Sequence, residues 1–223
     1  MFTQIPGLRA EVPPLLQEVA EKLADERQHW AFTQLVREYD GDSVAVERLE
    51  RFDPARGQER RWELLKYNGR TPTPAEVEEW SRKKNKVRKR PSKNAADYVD
   101  LEQARLRDET PDTISYEVPF KRSAGGLFPG EKVNLTLTIN KHTRGIERAQ
   151  VSIDESFKVA LGLAQVVDID FDLAMPGGVP AARAGQPVEK ARGDAKAVVN
   201  KFGRRFEYRW TDFTRRELPP AKG

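Results

Sequence analysis

The amino-acid sequence predicts an α+β fold built around one large antiparallel sheet. Many segments alternate apolar and polar residues, which is typical of strands that bury one face. One N-terminal segment instead places apolar residues at helical spacing. Strand and helix segments do not alternate in the way that indicates parallel βαβ units. We therefore expect roughly nine to eleven strands, in a single domain that spans residues 1–223.

The first element is predicted to be an amphipathic helix over residues 12–27. One face of this helix collects the apolar side chains of Val12, Leu15, Leu16, Val19 and Leu23. Prolines at positions 13 and 14 fit the first turn, because the backbone N–H that proline lacks has no helical partner there. A helix with such a stripe needs an apolar surface to contact, and we expect the sheet to supply it.

Three strands are predicted to follow as an antiparallel meander, over residues 30–39, 43–52 and 60–67. The first segment is rich in aromatic and β-branched residues and ends at Asp40-Gly41, which is a turn signal. The third segment ends at a similar signal, Asn68-Gly69. The second carries charge on both faces, because it contains Glu47, Arg48, Glu50 and Arg51.

A helical insertion is predicted to interrupt the sheet over residues 74–107. Thr73 fits a helix cap and Pro74 fits the first helical position. The helix is expected to run from 74 to 87, and Pro91 prevents its continuation. A weaker helical or irregular stretch is predicted for residues 95–107.

The C-terminal half is predicted to add a series of strands to the sheet. The clearest alternation lies in 131–140, where Val133, Leu135, Leu137 and Ile139 share one face. The other period-two segments are 113–120, 146–154, 157–173, 189–201 and 204–213. Gly162 is expected to mark a bulge or turn, because one strand of that length would be unusual. Residues 175–187 are predicted to form a loop, and 214–223 a flexible tail.

Composition and charge exclude several classes of function. The chain contains no cysteine, which excludes disulfides, thiolate catalysis and cysteine-type zinc sites. A net charge of +4 is a small excess for 39 basic and 35 acidic residues, so nucleic acid is not an expected partner. No segment approaches the ~20 consecutive apolar residues of a transmembrane helix.

The sequence shows no catalytic, cofactor or metal signature. Asp168, Asp170 and Asp172 alternate on one predicted strand, but the glycine and glutamate of a calcium loop are missing, so a solvated sheet face is expected. The two histidines, His29 and His142, are predicted to be surface residues. We therefore expect no enzyme activity, no cofactor and no bound metal.

The order of elements resembles the lipoprotein-carrier fold of Gram-negative bacteria, known as LolA/LolB-like, which also occurs in uncharacterised exported proteins. The resemblance covers residues 12–213. It rests on the blocks WAFTQLVREYDG, RRWELLKYNGRTPTPAEVEEW and KVNLTLTINKHTRGIERAQVSID. It implies a curved half-barrel sheet that is covered by the N-terminal helix and the helical insertion. The family uses the apolar concavity between these layers to hold acyl chains.

The resemblance implies a non-enzymatic protein that binds or carries a lipid or a lipoprotein acyl chain. The predicted cavity wall consists of Trp30, Phe32, Trp62, Leu135, Leu137, Phe171, Phe206 and Trp210. The alternative interpretation of the same residues is an ordinary packed core. The charged strand 43–52 departs from the apolar cavity of the carriers, and the chain lacks a lipid-attachment cysteine.

A basic run extends from Arg82 to Lys93. Contact with an anionic lipid headgroup or a protein partner is predicted for Lys83, Lys84, Lys86, Arg88 and Lys89. The structural alternative is the solvated end of a helix, where basic side chains interact favourably with the helix dipole. A second functional hypothesis follows, in which the chain is an interaction or regulatory module that binds another envelope protein and no ligand.

The N-terminal residues MFTQIPGLRAEVPPLLQEVA lack the basic start and uninterrupted apolar stretch of a signal peptide. The protein is therefore expected to be cytosolic, or else a signal peptide has been removed from it. The resemblance favours the second case and implies the periplasm.

Overall fold

The computed structural model describes residues 12–26, 30–56, 60–84, 99–121, 130–159, 162–175 and 192–216. The two helices of these ranges are α1 (Pro14–Glu26) and α2 (Pro74–Lys84). The strands of the N-terminal half are β1 (Trp30–Asp40), β2 (Ser43–Phe52), β3 (Trp62–Tyr67), β4 (Arg105–Glu109) and β5 (Thr113–Pro119). Those of the C-terminal half are β6 (Val133–Asn140), β7 (Gly145–Ile153), β8 (Phe157–Val159), β9 (Ala164–Ala174), β10 (Arg192–Lys201) and β11 (Arg204–Arg215).

All of these strands belong to one antiparallel sheet. Its order is β3-β2-β1-β11-β10-β9-β7-β6-β5-β4, and β8 pairs with β9 beside this path. The C-terminal strand β11 pairs with β1, so it joins the first meander to the rest of the sheet. The edge strands β3 and β4 are not paired with each other, and the described sheet is therefore open. A large antiparallel sheet with two helices is confirmed, whereas half-barrel curvature and cover by the helices remain predictions.

One side of the sheet is apolar along rows of directly paired residues. Paired residues of antiparallel strands point to the same side, so the register identifies this face. One row crosses nine strands through Leu64, Glu50, Gln34, Trp210, Ala195, Phe171, Val151, Leu135 and Val118. All members of the row except Glu50 and Gln34 are apolar. We call this side the apolar face.

The opposite side of the sheet is polar and its side chains form ion pairs. Arg37 Nε lies 2.8 Å from a carboxylate oxygen of Glu47. Lys196 Nζ lies 2.9 Å from Asp168, and Arg148 pairs with Asp172. The aspartates predicted for a solvated sheet face therefore lie on this side, and the described residues contain no group of three potential metal ligands. An antiparallel sheet commonly leaves one such face in contact with water.

Helix α1 packs on the apolar face through side chains that are almost fully buried. Leu16 is 0% exposed and Val19 is 2% exposed. Both belong to one buried cluster with residues of β5, β6 and β7, among them Val118, Leu137 and Ile139. The described part of α1 therefore packs on a core of buried apolar side chains.

Two elements differ from the sequence prediction. Residues 95–107 were expected to be helical or irregular, but their described part, 99–107, contains the 3-10 turn Leu101–Gln103 and then the start of the edge strand β4. Every residue of β4 is exposed, so its sequence lacks the alternation that a half-buried strand shows. At the other end of the chain, β11 continues to Arg215, two residues into the segment predicted to be a tail.

The predicted break at Gly162 is confirmed. Its φ angle of +84° lies in the left-handed region, and it separates β8 from β9. The predicted loop 175–187 lies outside the described residues beyond Met175, and so do most of the basic run and the end of the tail. No helix in the described ranges has the length and apolarity that a membrane crossing requires.

The packing of α1 predicts the effect of a truncation. Leu16→Ala is expected to lower the free energy of unfolding by about 2–5 kcal/mol, because it leaves a cavity in a filled core. Urea unfolding followed by circular dichroism measures the change. Leu106→Ala removes the same atoms from a side chain that is 57% exposed on β4, and we expect it to cost less than about 0.5 kcal/mol. Equal losses in the two variants would contradict the packing described.

Candidate functional site

Helix α2 begins with a capping box. The Thr73 backbone N–H donates to Glu76 Oε2 at 2.8 Å, and the Glu76 backbone N–H donates to Thr73 Oγ1 at 3.4 Å. Arg70 adds two hydrogen bonds to the same carboxylate, at 3.0 and 2.6 Å. No residue of α2 is fully buried. Apolar packing therefore contributes little to the position of this helix, and polar contacts to the sheet must hold it.

The main contact of α2 with the sheet is the carboxylate of Glu50 on β2. Glu50 is 1% exposed, although it is charged. Trp80 Nε1 donates to Glu50 Oε1 at 2.9 Å, and Lys84 Nζ donates to Oε2 at 2.7 Å. Arg48 Nε, on the same strand, approaches Oε1 at 3.3 Å. A buried carboxylate is tolerated only when donors replace the water that it has lost, and these side chains supply them.

A glutamine continues this network across the sheet. Gln34 on β1 donates from Nε2 to Glu50 Oε2 at 3.1 Å. Its carbonyl oxygen accepts from Trp210 Nε1 on β11 at 2.9 Å, which fixes the orientation of the amide. The Trp210 ring stacks on Tyr208 with ring centroids 5.8 Å apart. The network therefore connects α2 to β2, β1 and β11, and its polar atoms pair with one another.

Lys84 also contacts an aromatic ring. Its Nζ lies 3.8 Å from the ring centroid of Trp62 on β3, within the range of a cation–π interaction. Its side chain is 28% exposed. Lys84 is thus fixed between a carboxylate and an aromatic face, although the sequence predicted a headgroup or partner contact for it.

A cavity of about 320 Å³ lies between α2 and the sheet beside this network. This volume is near the lower end of the range for small-molecule sites. The walls are contributed by β1, β2, β3, β11 and α2. They consist of Gln34, Val36, Arg48, Glu50, Tyr67, Glu76, Glu79, Trp80, Lys83, Lys84 and Tyr208. The cavity therefore has aromatic walls and a charged interior.

Burial affects the ionisation of one wall residue. Desolvation raises the pKa of the Tyr208 phenol, and the nearby Arg48 guanidinium acts in the opposite direction. The first effect is the larger, so the pKa of Tyr208 lies above the ordinary value of 10.0. Tyr208 is therefore neutral near pH 7 and presents an O–H donor to the cavity.

The residues predicted for an apolar wall lie on the apolar face, but they are divided among separate packed clusters. Trp30, Phe32, Phe171 and Trp210 pack around a buried cluster that contains Leu173, Ala195 and Phe213. Phe32 and Trp62 are in edge contact at 5.6 Å between ring centroids. Leu135 and Leu137 belong to the core beneath α1. Phe206 is half-buried on β11, in register with Val199. None of these eight residues lines the cavity under α2.

The predicted basic residues are only partly described. Lys83 and Lys84 line the cavity. Lys83 is 71% exposed and pairs with Glu79 at 2.6 Å, which is the helix-surface role that the structural alternative anticipated. Lys86, Arg88 and Lys89 lie outside the described residues.

Sequence reasoning did not select Gln34, Arg48, Glu50, Trp80 and Tyr208. One signal was present, because Arg48 and Glu50 fall at the same period-two positions of β2 as Phe52. A carboxylate that shares a strand face with a large aromatic residue is a candidate for burial with partners. The partners themselves come from elements that are distant in sequence, and only the fold brings them together.

We compared the chain with protein-family models, with curated proteins and with solved structures, and none of the three comparisons gives a match. The likeness to lipoprotein carriers therefore rests on element order and sequence texture alone. Any function must be argued from the site.

The position of Glu50 predicts a specific loss of stability. Glu50→Gln keeps the side-chain shape but removes the charge that Lys84 and Arg48 contact, so we expect a loss of about 1–3 kcal/mol in the free energy of unfolding. The variant should also exchange the backbone amide hydrogens of α2 faster than the unmodified chain does, whereas exchange in β6 should stay the same. Glu79→Gln is the matched control, because Glu79 is 60% exposed and a surface pair contributes less than about 1 kcal/mol. Equal effects of the two variants would argue against the role of Glu50 in holding α2.

The capping box predicts a pH dependence. Hydrogen bonds from Arg70 and from the Thr73 backbone hold the pKa of Glu76 at about 2, below its ordinary value of 4.5. Because the folded pKa is depressed, the stabilisation is complete above pH 4.5 and is lost as the pH falls toward 2. Carboxyl-carbon NMR titration should show this midpoint, and Arg70→Gln should raise it. A Glu76 midpoint above pH 4 would contradict the capping geometry.

Proposed function

We propose that the chain is a non-enzymatic binding protein for an amphiphile, which places its polar end in the cavity under α2 and its acyl chain along the apolar face. The function is that of a binding or carrier protein for a lipid or a lipoprotein acyl chain. It is proposed to act in the periplasm of a Gram-negative cell, after removal of a signal peptide. The half-barrel curvature and the cover by both helices belong to the same proposal.

The supporting observation is the junction between a charged cavity and an apolar surface. The wall residues Val36 and Tyr208 are paired in register. The same row continues from Tyr208 to Ala197 on β10 and Ile169 on β9, away from α2. These last two side chains are half-buried, so they present apolar surface beside the cavity. A ligand with one polar and one apolar end would match a charged cavity that adjoins an apolar surface.

The packing beneath α1 determines where on the apolar face the acyl chain is proposed to bind. Leu16 and Val19 are almost fully buried against the core residues of β5, β6 and β7, so we place the proposed concavity elsewhere on the apolar face. The aromatic cluster around Phe32 and Trp62 is likewise closely packed, with ring centroids 5.0 to 5.9 Å apart. The proposed acyl path therefore follows the Tyr208 row instead, and Phe206 and Trp210 border it on β11.

The alternative function is an envelope interaction module that binds a protein and no ligand. This hypothesis uses a sheet edge or the basic helix of residues 82–93, of which the structure describes 82–84. Lys83 in that segment is paired with Glu79, which reduces its field toward a partner. Exposed ion pairs of this kind contribute little to recognition energy. The cavity therefore favours the ligand-binding function over the interaction module.

The proposal predicts direct binding of apolar probes. Native mass spectrometry of the protein purified from a Gram-negative periplasm should show bound lipid, and the delipidated protein should enhance the fluorescence of N-phenyl-1-naphthylamine. Dodecanol should displace this dye. Absence of both bound lipid and dye binding would refute the proposal and leave the interaction module as the better hypothesis.

A filling variant tests the location of the acyl path. Ala197→Trp places a large ring beside Tyr208, so we expect dye affinity to fall at least about tenfold, which corresponds to 1.4 kcal/mol. Ala45→Trp is the control, because Ala45 is exposed on β2 near the turn to β1. Thermal unfolding of both variants confirms that they are folded. If the folded Ala197→Trp variant binds the dye with unchanged affinity, the acyl chain does not follow the Tyr208 row.

A further inference from the structure

Three donors lie in one row of the sheet beneath α2. Tyr67 on β3 is paired with Arg48 on β2, which is paired with Val36 on β1, which is paired with Tyr208 on β11. All four residues line the cavity. Adjacent strands are about 5 Å apart, so Arg48 has one phenol on the next strand and the other two strands away. Val36 forms an apolar floor between Arg48 and Tyr208.

The terminal nitrogens of Arg48 are available for a ligand. Its Nε makes a 3.3 Å contact with Glu50, and its side chain is 21% exposed. Within the described part of the chain, neither terminal nitrogen has a hydrogen-bond partner, and the hydroxyls of Tyr67 and Tyr208 have none. In the described ranges, no side-chain polar atom of Arg48, Tyr67 or Tyr208 is both buried and without a partner, so these donors are not sealed from the cavity.

Three cations and three carboxylates line the cavity, and Arg70, which pairs with Glu76 from outside the wall, leaves one positive charge in excess around it. Glu79 is neutralised by Lys83 and Glu76 by Arg70. The remaining carboxylate of the wall, Glu50, is shared by the two cations Lys84 and Arg48. Lys84 lies closer to that carboxylate, at 2.7 Å, and also contacts the Trp62 ring. The excess charge therefore resides mainly on Arg48.

We propose that Arg48, assisted by the Tyr208 and Tyr67 hydroxyls, binds a monoanionic headgroup of the amphiphile above Val36. This inference rests on the proposed function and adds the chemical class of its ligand. A guanidinium presents two parallel N–H donors that match the two oxygens of a carboxylate or of a phosphodiester. Either headgroup carries the single negative charge that balances the cavity.

A dianionic headgroup fits this site less well. A phosphomonoester would bring close to two negative charges to a cavity that has one positive charge in excess. The second charge would face Glu50 and Glu79 without a compensating cation among the described wall residues. Because charge is poorly screened in a partly buried site, the surplus would weaken binding. The site is therefore selective for a monoanion over both a neutral and a dianionic headgroup.

The test compares ligands that share a chain and differ in the headgroup. Dodecanoate, dodecanol, lauroyl-lysophosphatidylglycerol and dodecyl phosphate are each titrated into the full chain by displacement of N-phenyl-1-naphthylamine. We expect both monoanions to bind at least about tenfold more tightly than dodecanol, because a charge-assisted bidentate pair exceeds a neutral hydrogen bond by about that factor. Dodecanoate tests a fatty-acid source, lauroyl-lysophosphatidylglycerol tests a lysophospholipid source, and dodecanol is the neutral reference.

Substitutions locate the effect. Arg48→Met should remove the preference for dodecanoate while dodecanol affinity stays the same. Arg48→Lys should restore only part of it, because lysine lacks the planar fork. Tyr208→Phe should weaken dodecanoate about threefold to tenfold, as expected for one hydroxyl donor. Arg209→Met, on the exposed opposite side of β11, removes the same charge and should change nothing.

The outcomes separate this inference from the function on which it rests. Equal affinities for dodecanoate and dodecanol in the unmodified chain overturn the headgroup site but leave amphiphile binding intact. Equal weakening of both ligands by Arg48→Met, in a variant with unchanged thermal stability, also overturns it. Failure of all four ligands to displace the dye, or of the dye to bind, overturns the proposed function itself.

Discussion

The buried carboxylate of Glu50 is the constraint on which the arrangement around α2 depends. A charge that is 1% exposed needs donors in place of water, and here they come from β1, β2 and α2. Helix α2 has no fully buried residue, so it cannot be positioned by an apolar stripe. Its side chains Trp80 and Lys84 instead fix one end of the helix to the sheet, while the Thr73–Glu76 capping box fixes the other end of its backbone. The cavity exists because a helix held by long polar side chains stands off from the sheet.

The same constraint explains why a polar cavity occurs on an otherwise apolar face. Along the row from Leu64 to Val118, the side chains remain apolar except at Glu50 and Gln34. At one end of the face, α1 is packed through Leu16 and Val19, and the space is filled. At the other end, two polar residues in the row replace apolar packing with hydrogen bonds. One end of this face is therefore a packed core, and the other end contains the polar cavity for which ligand binding is proposed.

Much of the fold followed from period-two alternation, because a strand that buries one face must alternate. β6 shows this most clearly, and its predicted and observed bounds agree closely. β4 was not predicted in this way, because all of its residues are exposed and no buried face imposes an apolar alternation on its sequence. The site was less predictable for a related reason. Charges on β2 point to both sides of the sheet, and only pairing with β1 and β3 determines that Glu50 is buried whereas Glu47 pairs with Arg37 on the other face.

An ion cluster is a poor way to attach a helix if stability is the only requirement. Replacing a buried charge pair with apolar side chains of similar volume is often neutral or stabilising, so stability alone does not account for the charges at positions 50 and 84. Apolar residues there would supply neither an excess positive charge nor unpaired donors beside an apolar row. Glu50 accepts from Arg48 through Nε alone, which orients the guanidinium and leaves its terminal nitrogens for another acceptor. The carboxylate thus orients the guanidinium through Nε, and the terminal nitrogens have no partner among the described residues, which is the arrangement that the proposed anion site requires.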